Sequence, residues 1–149
     1  MLRSPPETKS DSRWTRRSGT GTLQRVYGVP PDLDLLPLVG SRIINVGLGL
    51  YNTQFSFEIE ALDYGGVNAE GRWEVIDALG AQVGGRSRHD DSLLANTPWE
   101  AVLGASVVAF ALAAPMSFDL ALSSGILLRF YDDSDTYESM TIHPGDYVI

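Results

Sequence analysis

From residue 42 onward, apolar and polar positions alternate with a period of two, the pattern of strands that bury one face. Residues 42–51 put Ile44, Val46, Leu48 and Leu50 on one face and Ile43, Asn45, Gly47 and Gly49 on the other. Residues 54–60 continue with Phe55, Phe57 and Ile59 inward and Ser56, Glu58 and Glu60 outward. Asn52 and Thr53 between the two runs predict a tight turn and therefore a hairpin. Residues 61–71 are glycine-rich and read as a loop, 72–77 as a third strand, and 80–96 as an exposed, mobile connection. Thr97, Pro98 and Glu100 predict a short helix, with Thr97 as N-cap and Gly104 as its stop.

Residues 101–118 contain no charge, a run that reaches the lower length limit of a membrane span. Gly104, Ser106, Pro115 and Ser117 interrupt it, and Val108, Phe110 and Leu112 alternate with Val107, Ala109 and Ala111, so the run predicts a buried strand instead. Residues 117–123 form the next strand, with Phe118, Leu120 and Leu122 on its inner face. Residues 125–142 then read as a second hairpin, an apolar run passing through an acidic loop and returning half apolar. Tyr147, Val148 and Ile149 close the chain as a segment held in the sheet. The fold class predicted is mainly β (α+β), a single antiparallel sheet or sandwich of six to eight strands with one or two short helices.

The two halves share a plan. Leu38, Val39, Gly40, Ile43 and Ile44 match Val102, Leu103, Gly104, Val107 and Val108 at an offset of 64. Ser56 to Ile59 match Ser117 to Leu120 at 61, and Gly71 to Trp73 match Gly125 to Leu127 at 54. In the last pair the apolar faces disagree, so either an internal duplication or the shared look of meandering strands accounts for the likeness.

The net charge of −8 is unevenly placed. Residues 1–30 hold six basic residues (Arg3, Lys9, Arg13, Arg16, Arg17, Arg25) and two acidic ones, a net of +4; residues 31–149 hold five basic and seventeen acidic, a net of −12. Residues 1–28 are rich in Ser, Thr, Gly, Pro and Arg without periodicity and predict a flexible basic tail, with Trp14, Leu23, Val26 and Tyr27 its only adhesive side chains. Residues 29–149 form the antiparallel domain. Its acidity argues against nucleic acid and anionic lipid as partners. The absence of cysteine removes disulfides and thiolate chemistry, and no apolar core follows Arg16 and Arg17 as an export signal would require; a cytoplasmic protein is expected.

Clustered carboxylates make Asp132, Asp133, Asp135, Tyr137 and Glu138 the candidate binding residues. Their spacing is not that of a calcium loop, and a solvated turn is the simpler reading. His89 beside Asp90 and Asp91, and His143 beside Pro144, have no spacing that demands a metal or a catalytic dyad. No Gly-x-Ser-x-Gly occurs, and Gly84 and Gly85 lack the lysine of a phosphate loop. No catalytic residue, metal ligand or cofactor is therefore predicted. Trp73 and Trp99 are expected in the core, each with a partner for its indole N–H.

The C-terminal pattern formed by Phe130, Tyr131, Asp132, Asp133 and Ser134, then residues 137–142, then Gly145 and Asp146, resembles small bacterial domains of unknown function, several of them actinobacterial. Some of these are immunity-protein-like, and the resemblance implies a non-enzymatic binder whose acidic surface covers a basic toxin. Acidity points the same way, since a strong field steers association with a positively charged protein. The expectation is a soluble protein-binding domain, not an enzyme, with a basic protein partner, no nucleic acid and no membrane, and with a homo-oligomer left open. The alternative is a metal-dependent enzyme or calcium-binding module using the loop from Asp132 to Glu138.

Overall fold

The structure, a computed structural model, describes residues 28–59, 65–87, 90–132, 140–143 and 147–149. The predicted tail therefore lies outside the described residues except for Gly28. The described residues form ten strands: β1 (Arg42–Leu48), β2 (Thr53–Glu58), β3 (Gly65–Ala69), β4 (Trp73–Ile76), β5 (Gln82–Arg86), β6 (Val107–Ala113), β7 (Ser117–Leu122), β8 (Leu127–Tyr131), β9 (Met140–His143) and β10 (Tyr147–Val148). A one-turn helix, α1 (Trp99–Val102), and two 3-10 turns, Leu36–Leu38 and Leu94–Asn96, complete the described elements. No described helix is long and apolar enough to cross a membrane.

All pairings are antiparallel, in two five-stranded sheets ordered β1-β2-β3-β9-β10 and β5-β4-β8-β7-β6. The domain is thus mainly β, as its alternation predicts. The hairpin expected over residues 125–142 does not form. β8 pairs with β4 and β7, whereas β9 pairs with β3 and β10 in the other sheet, so the acidic stretch between them crosses from sheet to sheet. Local alternation is satisfied by either partner, and only the distant strands distinguish them.

The order of pairing reveals a two-fold pseudo-repeat. In each half three strands form a meander in one sheet and the last two cross to the other, so that β4 and β5 join β8 while β9 and β10 join β3. The halves meet at the bridge between Arg42 and Ser106. Around it the hydrogen bonds are reciprocal at an offset of 64: Gly40 N–H to Val107 O at 2.7 Å mirrors Gly104 N–H to Ile43 O at 2.8 Å, and Ile43 N–H to Ala105 O at 2.9 Å mirrors Val107 N–H to Ser41 O at 2.8 Å. Gly40 and Gly104 both take positive φ, 91° and 86°, a conformation that glycine adopts without a Cβ penalty. The first of the three sequence offsets is therefore the structural one. The others are corrected. Ile43 faces Phe57 and Val107 faces Leu122, which equates Phe57 with Leu122 at 65. The counterpart of β8 is β3, which the sequence left as a loop because Gly65 and Gly66 disguise it, and not β4.

The same symmetry appears in a local departure from alternation at the start of the two edge strands, past which Val46, Phe110 and Leu112 pack against the core as alternation predicts. The register shifts between Ile43 and Asn45 in β1 and between Val107 and Ala109 in β6, a β-bulge at equivalent positions. The extra residue reverses the alternation: Ile43 and Val107 are buried, while Ile44 and Val108 are 48% and 55% exposed. β6 is an edge strand with one open face, not a strand buried on both.

The segments that precede β1 and β6 pack apolar side chains into the core, Leu33, Leu35 and Leu38 from one and Val102 from the other. Of residues 80–96, expected as an exposed connection, those described (80–87 and 90–96) include a strand and a 3-10 turn. β5 runs through them, and a Cβ on Gly84 would lie 2.6 Å from the Thr97 Cα, so glycine is what permits this approach. Thr97 does not cap α1; its hydroxyl accepts from Gly85 N–H at 3.1 Å and donates to Leu93 O at 3.1 Å. Between the sheets, Phe55 meets Trp73 and Phe130 edge-on at 5.1 and 5.3 Å, Phe130 stacks with Phe118 at 5.1 Å, and Trp99 leans on Trp73 at 6.0 Å. Trp73 is fully buried and its indole N–H donates to Thr53 Oγ1 at 3.0 Å, the partner its polarity requires.

Candidate docking surface at the crossover end

Both sheet-to-sheet crossovers lie at one end of the sandwich. The registers Leu48 to Thr53 to Ala69 to Met140 and Phe118 to Phe130 to Trp73 to Arg86 bring the end of β3 beside the start of β4 and the end of β8 beside the start of β9. The same end receives the β1–β2 turn over residues 49–52 and the β6–β7 turn over residues 114–116, the latter containing the cis Ala114–Pro115 bond.

Of the sequence-predicted site residues, Asp132 is described and Asp133, Asp135, Tyr137 and Glu138 lie outside the described residues. Asp132 is only 2% exposed. Its carboxylate accepts a hydrogen bond from Gly28 N–H, and its own N–H donates to Met116 O at 2.8 Å. Grouping it with surface acids is therefore corrected: it ties the start of the described chain and the β6–β7 turn to the end of β8. Val29 N–H adds a bond to Pro115 O at 2.8 Å. His89 lies outside the described residues, and His143 is exposed on β9 opposite Gly66. Among the described residues no three His, Asp or Glu side chains converge as a metal site would require.

Sequence reasoning missed Arg86. All five of its guanidinium hydrogens are engaged: Nε to Asp91 Oδ1 at 2.9 Å, Nη1 to Asn52 O at 2.8 Å and Thr53 Oγ1 at 3.2 Å, Nη2 to Gly49 O at 2.8 Å and Leu50 O at 3.2 Å. The planar fork thus binds three consecutive-turn carbonyls at once, which a lysine's point charge would not. Gly49 N–H closes the turn on Asn52 O at 2.8 Å. The turn held in this way projects Leu50 and Tyr51 into solvent at 79% and 73% exposure. Met116, on the pseudo-equivalent turn, is 51% exposed.

A second polar constellation lies on the outer face of the second sheet. Arg129 bonds Asp119 through both Nε, at 2.7 Å, and Nη2, at 3.0 Å, and stands opposite Glu74 in register. Tyr131 Oη donates to Glu74 at 2.9 Å, Gln82 reaches Glu74 at 3.0 Å, and Arg72 lies 3.7 Å above the Tyr131 ring. The Asp119 carboxylate raises the Arg129 pKa, and partial burial, followed by the bond to Glu74, raises that of Tyr131. With a permanent cation in register between the two carboxylates, the arrangement laces four strands together and offers no acid–base pair.

A raised phenol pKa has a defined consequence for stability. The neutral form is favoured by folding, so the contribution is fully present below the unfolded value near 10 and is lost as pH rises toward the folded value. Urea midpoints measured from pH 8 to about 11.5 should fall more steeply for the wild type than for Tyr131→Phe. Parallel curves would place the ionisation elsewhere.

The described arginines Arg42, Arg72, Arg86 and Arg129 are each in an ion pair, with Glu58 at 2.7 Å, Glu74 at 3.6 Å, Asp91 at 2.9 Å and Asp119 at 2.7 Å. Asp32, Asp34, Glu70, Asp90 and Glu100 are exposed acids beyond these pairs. Compared with protein-family models, curated proteins and solved structures, the chain matches none of them.

Proposed function

We propose that this chain is a non-enzymatic protein-binding domain that receives a basic protein partner at its crossover end, an immunity-type role against a basic toxin being the specific form suggested by the C-terminal resemblance. The observation that carries the reading is the pairing of all four described arginines, which leaves Asp32, Asp34, Glu70, Asp90 and Glu100 as exposed acids beyond those pairs among the described residues. Such a field accelerates encounter with a cation-rich surface more than it tightens the final complex. Large apolar side chains on a turn already fixed in place suit the next step, because little ordering entropy remains to be lost on docking. The crossover bearing Asp133, Asp135 and Glu138 begins and ends at this same end.

The burial of Asp132 determines which variant tests the idea, since a lysine there would break the fold rather than the surface. Asp133→Lys combined with Asp135→Lys is the informative change. A pull-down from source cells should retain a basic protein at low salt, retain less at physiological salt, and lose it with the double variant. Undiminished retention by the variant, or no partner at low salt, would end the proposal.

A further inference from the structure

We infer that the open edge of β6 is a pairing site for a second copy of this chain. The two β6 strands lie antiparallel about a two-fold axis through Ala111, so that the β5-β4-β8-β7-β6 sheets of both copies join into one. The inference does not depend on the basic partner proposed above.

Its starting point is how differently the sheet edges are treated. The edge at β5 is covered, since Gly85 N–H donates to Thr97 Oγ1 at 3.1 Å and a Cβ on Gly84 would strike Thr97. β10 is two residues long. β1 carries Arg42 in its ion pair with Glu58, then Asn45 and Gly47. β6 has none of these devices beyond its bulge. Residues 109–113 run in unbroken register with β7, and no charge falls anywhere in residues 101–118. The chain that precedes β1 is bonded only to the margins of this edge, through Gly40 N–H to Val107 O at 2.7 Å and Val29 N–H to Pro115 O at 2.8 Å. Among the described residues, no backbone group outside β7 and its turn bonds to residues 109–113. An edge without charge, proline or cover is a template for another strand.

Charge selects the occupant. A partner drawn in by carboxylates would find none on β6, whereas two copies of this chain, each at −8, repel one another and can meet only along a stretch that carries no charge. The acid nearest the edge, Asp119, stands opposite Ala111 and is already bound by Arg129 Nε and Nη2 at 2.7 and 3.0 Å. A two-fold through Ala111 sets Phe110 against Leu112 of the second copy, and Ala109 against Ala113. Phe110 and Leu112 pack against the core but are only half-buried, so each gains an apolar neighbour beyond the edge of its own sheet. The exposed alanines between them bring neither bulk nor charge to the junction. Five residues of strand are about 17 Å long, short for an interface of standard size, so a dissociation constant of about 10–100 μM is expected.

Sedimentation equilibrium of the full chain tests this. Monomer is expected at about 2 μM and mostly dimer at about 500 μM. Pairing through an uncharged strand should tighten several-fold as salt screens the repulsion between copies, from about 20 to about 300 mM. Ala109→Lys with Ala113→Lys should weaken the dimer at least tenfold, because each lysine faces another across the two-fold, even though the change lowers the overall negative charge. Ala109→Lys with Ala113→Glu should restore it, since each lysine then faces a glutamate of the second copy. Monomer at every concentration overturns the proposal, as does a dimer on which the two double variants act alike. A dimer that weakens with salt also overturns it, assigning the contact to opposite charges. The retention of a basic partner is expected to move with salt in the other direction, so failure of this experiment is separable from failure of the pull-down.

Discussion

Trp73→Ala is expected to destabilise the domain by about 4 kcal/mol, within the range for truncating a buried aromatic residue. The position concentrates three kinds of contact: an edge-on ring from Phe55 in the opposite sheet, the tilted ring of Trp99, and the hydrogen bond to Thr53. The cavity would open where the sheets meet, so the surrounding backbone is held from both sides and cannot collapse into it. Trp73→Phe separates packing from polarity. Thr53 Oγ1 keeps its bond from Arg86, so the phenylalanine variant leaves no orphaned oxygen and should cost about half as much or less. Urea denaturation of the two variants is the measurement. A cost below about 1.5 kcal/mol for the alanine variant would mean that the sheets close over the gap.

Arg86→Met should have the next largest effect, a loss of about 3 kcal/mol. Methionine keeps the apolar stem, so the change removes the guanidinium alone. Asp91 is more than half exposed and can be rehydrated, which rules out a stranded carboxylate as the main cost. What remains is the turn: Gly49 O, Leu50 O and Asn52 O lose their common donor, and those of Gly49 and Asn52 are partly buried. Hydrogen exchange should therefore quicken first at Gly49 and its neighbours, ahead of the far-end strands. Arg86→Lys should recover little, because one ammonium cannot bridge three carbonyls. Full recovery by lysine would show that charge, not fork geometry, holds the turn.

The candidate surface was legible only in part. The acidic stretch is visible as composition, but Asp132 cannot be told from Asp133 without knowing that Gly28 lies against it across 104 residues of sequence. Leu50 falls on the apolar face by alternation, yet it sits past the end of β1 on a turn, where alternation has no meaning. Arg86 follows Gly84 and Gly85 in sequence, a hint of close packing, although nothing in that triplet names the turn that it clamps.

By itself the sequence determined what each short stretch would become. Period-two alternation specified β1, β2, β4, β6, β7 and β8, and the Thr97, Pro98 and Glu100 grouping located the one short helix, because these are properties of neighbours along the chain. The tertiary structure decided partnership. β8 and β9 could have closed a hairpin as far as their residues are concerned, but they belong to different sheets because β3 and β4, joined by three residues, offered each a pairing edge. It likewise decided the faces at the start of the edge strands, where one bulged residue, Ile44 or Val108, brings Ile43 and Val107 onto the core face that Val46, Phe110 and Leu112 share. A strand carries the pattern of its two faces within itself; which strand lies beside it, and in which register, is set by residues far away in the chain and close only after folding.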